Sequence, residues 1–145
     1  MEMTSNITAI SCDAAQELVT RAMEHARVHE WKIAVAILDP TGAMVAAARM
    51  DGVSPTILDI ATDKAFTATL GKSTRAFFER MSSSPDLAMG LQTRPRLCAW
   101  DGGLPIRQNA SLIGAIGVSG AAGVEDVECA QEALKSLGLD GSDKI

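Results

Sequence analysis

Ile33-Ala34-Val35-Ala36-Ile37-Leu38, followed at once by Asp39-Pro40-Thr41-Gly42, is the stretch on which the fold depends. The apolar run is unbroken, rich in β-branched residues and too short for an ordinary helix. It reads as a strand buried on both faces. Pro at the second and Gly at the fourth position of the next four residues suit a type I turn. Ala43 to Ala48 then returns as a second strand, so the segment is a β-hairpin.

Working outward, Ser11 is placed to cap a helix from about Cys12 to Glu30. Ala15, Leu18, Val19, Ala22, Met23 and Ala26 make its apolar face, and Trp31 anchors its exit. After the hairpin, Arg49-Met50-Asp51-Gly52 leads to Ser54 and Pro55, an N-cap and first helical residue. That helix runs to about Leu70, with Gly71 as its stop and Ser73 to Met81 adding a turn or two. Ser82-Ser83-Ser84-Pro85 breaks the pattern, and residues 82–96 read as loop with room for one short helix. Leu97-Cys98-Ala99-Trp100 reads as a third strand and Asp101-Gly102-Gly103 as a turn. Leu104 to Gln108 is a fourth strand whose Pro105 requires an edge or non-bonded position. Asn109-Ala110 turns the chain into a fifth strand, Leu112 to Val118. Gly120-Ala121-Ala122-Gly123 opens a last helix, Val124 to Leu137, with Glu125 and Asp126 favoured in its first turn by the helix dipole. The expected fold is α/β of the α+β type: one domain spanning residues 1–145, a five-stranded, mainly antiparallel sheet, and helices packed on it in two layers.

Composition narrows the function classes. The 145 residues are 47% apolar and 21% charged, the balance of a single globular domain. A net charge of −5 with no Lys/Arg stripe excludes nucleic acid as a partner. The apolar runs are too short for a bilayer span, and Met1 to Asn6 has neither the basic nor the apolar region of a secretory signal. Cys12, Cys98 and Cys129 are odd in number and scattered, which fits free thiols in a reducing cytoplasm.

Four blocks carry a resemblance. Arg49-Met50-Asp51-Gly52, Asp59-Ile60-Ala61-Thr62-Asp63-Lys64-Ala65-Phe66-Thr67-Ala68, Gly102-Gly103-Leu104-Pro105-Ile106 and Gly114-Ala115-Ile116-Gly117-Val118-Ser119-Gly120 occur in that order. So arranged, the chain resembles the GlcG/HbpS family, which includes the C-terminal domain of PduO-type proteins, from about Ile7 to Leu137. The resemblance implies a profilin-like or PAS-like domain that assembles into homo-oligomers. It also implies haem binding in some members, through a histidine of the first helix, and links to cobalamin or glycolate metabolism in others. This chain departs from the family pattern at Ala47-Ala48, where a bulky aromatic or His is frequent. It departs again at Thr93-Arg94-Pro95-Arg96, in place of an Asn-Gly-Gly-Arg-like stretch. Both departures bear on a ligand pocket.

His25 and His29, the two histidines, lie one helical turn apart on the flank of the first helix. Such a pair suits a metal ion, or one imidazole suits haem iron, with Met50 as a second axial ligand. The plainer reading is two solvated histidines and a methionine filling core. Lys64 falls inside the apolar stripe of Ile57, Ile60, Ala61 and Ala68, so it must snorkel out, pair with an acid or face a pocket. Arg49 and Asp51 stand before the same helix, where free N–H groups attract an anion. Trp100, Asp101, Gly102 and Gly103 put an aromatic ring and a carboxylate beside a tight turn, as ligand contacts or as turn formers. Gly114, Gly117, Gly120 and Gly123 do not follow the dinucleotide-binding spacing and indicate close packing instead. Ser119 lacks the hydrolase elbow.

The leading expectation is a small-ligand-binding protein taking haem or a related tetrapyrrole. Its site residues would be His25, His29 and Met50 for the cofactor and Lys64, Arg49, Asp51, Trp100, Gly102 and Gly103 for a ligand. The alternatives are a cofactor-free isomerase or lyase/hydratase moving a proton on a small carboxylated catabolite, with Lys64, Arg49 and Asp101 as its catalytic groups, and an accessory subunit of a catabolic enzyme. The scarcity of aromatics, three Phe and two Trp, argues against a large stacking platform.

Overall fold

The computed structural model describes residues 1–143. The elements are α1 (Cys12–Val28), β1 (Ala34–Leu38), β2 (Met44–Arg49), α2 (Pro55–Ala68), α3 (Thr74–Met81), α4 (Pro85–Leu91), β3 (Gly103–Gln108), β4 (Ser111–Ser119) and α5 (Gly123–Ser136). The strands form one antiparallel sheet of four, in the order β2-β1-β4-β3.

The hairpin reading holds. β1 is buried at every position, because the sheet carries helices on both faces. Val35 and Ile37 pack with Leu18, Ala22 and Leu134 of α1 and α5. Ala34, Ala36 and Leu38 pack with Ala61, Ala65 and Ala68 of α2. The architecture is therefore three-layered, not two-layered. Alternation along a central strand sends neighbouring residues to opposite faces, and both faces here are apolar.

The alanines and glycines set how close α2 lies. A methyl group on Gly117 would sit 1.9 Å from the carbonyl oxygen of Ala61, so β4 admits only glycine beneath that turn. A methyl on Gly103 would stand 2.4 Å from the Lys64 carbonyl oxygen.

The expected third strand, Leu97 to Trp100, is not in the sheet. Its amide at Cys98 is bound by Thr67 Oγ1 at 2.8 Å, so the segment lies on α2 and satisfies its backbone there. The remaining strands then leave β3 at the sheet edge, which is where Pro105 requires it to be. The helix after Gly71 is a separate one: Ser73 Oγ accepts from Ala76 N at 3.1 Å and starts α3. Pro85 opens α4 inside the stretch expected to hold one short helix. Among the described residues no helix is long and apolar enough to cross a membrane.

Candidate functional site

Lys64 is the one charged residue that α2 turns inward, and it is 3% exposed. Its Nζ donates to the Val118 carbonyl oxygen at 2.9 Å and to Asp126 Oδ2 at 3.2 Å. Asp126 belongs to the first turn of α5 and also accepts from Ala121 N at 3.0 Å. Burial pushes the Asp126 carboxyl up to about 6, outweighing the Lys64 charge and the Ala121 N–H. The pair sits where the end of β4 meets both helices. Gly102 closes over it with φ +129°, and a methyl there would lie 2.3 Å from the Val118 carbonyl oxygen and 2.9 Å from Lys64 Nζ. Gly102 thus roofs the ion pair with backbone, while Gly103 packs on the Lys64 main chain and its N–H donates to Thr74 Oγ1 at 3.1 Å.

Beside this pair opens a cleft of about 520 Å³. Lys64, Asp126 and Ser119 are its buried side. Trp100, Phe78 and Arg75 stand on its exposed rim, where Arg75 donates to Asp101 Oδ2 at 2.7 Å. Of the expected ligand groups, Lys64, Trp100 and Asp101 come together here. Arg49 and Asp51 do not line this cleft: Arg49 is exposed at the end of β2 and its guanidinium donates to the Val53 carbonyl. Met50 is half-buried between the two core clusters, its sulfur accepting from Ile33 N at 3.4 Å.

The two histidines form a second constellation with Trp31 and Glu128. Their ring centroids are 4.5 Å apart, and the Trp31 ring stacks on His29 at 4.4 Å. His25 Nε2 meets Glu128 Oε2 at 2.7 Å. His29 Nδ1 lies 3.0 Å from the His25 carbonyl oxygen. A carbonyl only accepts, so Nδ1 of His29 carries a proton, and in the neutral ring Nε2 then holds the lone pair, 4.0 Å from Glu128 Oε2. One ligand atom from each of His25, His29 and Glu128 falls within 4.8 Å of the others, a donor set suited to a divalent transition metal.

Sequence reasoning missed Arg75, Phe78, Ser119, Asp126 and Glu128 as site residues. Asp126 was legible only as a dipole-matched acid. Ser119 carried a signal in strand alternation, which places it with Ala115 and Gly117 on the face that meets α2.

A family model described as "Haem degrading protein HbpS-like" matches residues 10–135. Protein GlcG of Escherichia coli (strain K12) is 32% identical over 110 residues, covering 76% of this chain and 81% of GlcG. The crystal structure of Klebsiella pneumoniae protein ORFY superposes with a TM-score of 0.88 at 28% identity, over 95% of this chain and 97% of that one. A structure of a PduOC–haem complex shares the fold with a TM-score of 0.85 at 22% identity, over 93% of this chain and 99% of that one.

Proposed function

The chain belongs to the HbpS-like family of haem degrading proteins, and from that premise we propose that it binds haem, or a related planar tetrapyrrole, through an imidazole of α1. The observation that carries the reading is the state of His29. Its Nδ1–H is committed to the His25 carbonyl oxygen, and its Nε2 lone pair belongs to a side chain 40% exposed. A histidine whose second nitrogen donates to a carbonyl is oriented and made more basic for an iron. Trp31, stacked on the ring, holds its plane. The residues therefore fit a haem that His29 would hold through its Nε2. His25, engaged by Glu128, supports it. Haem, when bound, would supply a redox-active iron.

The position is a surface one, so a bound macrocycle needs cover. Val28 and Val124 are exposed large apolar residues of α1 and α5, the helices that carry this cluster. A second copy of the chain laid on these helices would supply that cover, in keeping with the homo-oligomer that the sequence leads us to expect. The same three donor groups support a second reading, a divalent metal site.

Hemin titration followed in the visible spectrum tests the proposal. Wild type gives a shifted Soret band at one haem per ligand site. His29→Ala removes the shift, and His25→Ala weakens binding without removing it. A band unchanged in the His29→Ala, His25→Ala double variant overturns haem ligation by this cluster. Thermal stabilisation by Zn²⁺ in a protein that gives no Soret shift assigns the cluster to a metal ion instead.

A further inference from the structure

The cleft beside Lys64 contains a polar group that the fold itself leaves unused. Ser119 is 5% exposed, and its hydroxyl makes no hydrogen bond among the described residues; the oxygen is not sealed in the core but keeps its access to solvent. It belongs to a residue that lines the cleft together with Lys64 and Asp126. Lys64 adds a second free donor: of its three N–H bonds, one goes to Val118 and one to Asp126. No residue of α1 lines this cleft, so the site is independent of the haem reading.

The charges dictate the polarity of an occupant. The inner end holds an ammonium and a hydroxyl, both able to donate, next to the Asp126 carboxylate. A ligand carboxylate placed there would face Asp126, whereas a neutral carbonyl oxygen accepts from both donors without that repulsion. At the rim Asp101 engages Arg75 through one terminal nitrogen only, and the arginine side chain is 56% exposed. The guanidinium therefore keeps N–H groups for a second carboxylate. Between the two ends, Trp100 and Phe78 are 65% and 43% exposed and offer apolar walls to the cleft.

We propose that this cleft is a binding site for a small oxo-acid. The ligand's carbonyl oxygen accepts from Ser119 Oγ and Lys64 Nζ, its carboxylate pairs with Arg75, and its apolar body rests on Trp100 and Phe78. A volume of about 520 Å³ lies within the usual range for a site of this kind.

Titration calorimetry with 5-oxohexanoate as the probe tests it. Hexanoate lacks the carbonyl and 2-hexanone lacks the carboxylate. The oxo-acid should bind at least about five-fold more tightly than either, since one analogue loses the two hydrogen bonds to its carbonyl and the other loses the pairing with Arg75. Ser119→Ala should lower its affinity about five-fold with Tm unchanged, and Arg75→Gln should lower it by a similar factor. Lys64→Met should abolish binding, and since this change strands Asp126, the Ser119 and Arg75 variants carry the test if it unfolds. His29→Ala should leave oxo-acid affinity as in wild type, which separates this site from the haem site. Equal affinity for all three compounds, no binding at millimolar concentration, or wild-type affinity in both Ser119→Ala and Arg75→Gln overturns the proposal.

Discussion

Asp126 should make the protein more stable as the pH falls from neutral toward about 4.5, the reverse of what a salt-bridged carboxylate usually does. Its carboxyl is 2% exposed and its acidity is shifted from 3.8 to about 6, with burial the largest cause. The folded state therefore holds this proton more tightly than the unfolded chain does. The associated stability is complete below the unfolded value and is lost as the pH rises through the folded one. A rise from 3.8 to about 6 corresponds to about 3 kcal/mol. Asp126→Asn isolates the effect. The amide keeps the shape and the acceptor for Ala121 N, but cannot titrate. Urea unfolding of both proteins at several pH values gives the difference in stability, in which His25, His29 and the other carboxylates cancel. Between about pH 7.5 and about pH 4.5 that difference should move in favour of wild type by most of the about 3 kcal/mol. The absolute sign at one pH is a separate matter, because the variant also deprives the buried Lys64 of its counter-charge. Parallel curves would refute the reasoning. A slope of the opposite sign would mean that attraction to Lys64 outweighs burial and holds the carboxyl below its usual range.

Gly117→Ala should destabilise by about 3 kcal/mol in chemical denaturation, since a methyl 1.9 Å from the Ala61 carbonyl oxygen forces α2 off the sheet. A loss under about 1 kcal/mol would mean that this helix is less tightly seated than the geometry requires. Light scattering at micromolar concentration should give a dimer or larger, because Val28 and Val124 expose apolar surface on α1 and α5. A monomer would remove the cover proposed for a surface haem.

Much of the site was visible in the sequence as a problem without its solution. Lys64 in an apolar helical stripe demanded a partner or a pocket, and it has both. The partner, Asp126, lies 62 residues further along the chain, and nothing local joins the two. Arg49 shows the converse. It precedes α2 in sequence and so suggested a ligand clamp with Lys64, but β2 carries it to the sheet edge, outside the cleft that Lys64 lines.

Period and composition alone determined the elements that local physics controls. These are the α1 stripe, the capped start of α2 and the β1–β2 hairpin turn, because caps, turns and alternation act within a few residues. The sequence alone also determined that β1 is buried on both faces, since an unbroken apolar run has no side for water. Only the tertiary structure decided what Leu97 to Trp100 would become. A four-residue apolar run satisfies its backbone as well on a helix side chain as on a strand, and Thr67 Oγ1 supplies that partner to Cys98. Only the tertiary structure could put Ser119 on the wall of a cleft, set Arg75 and Asp101 at the rim of the same cleft, and hold His25 against Glu128. Those contacts join α1 to α5 and β4 to α2 and α3, and their energy comes from packing that no window of sequence contains.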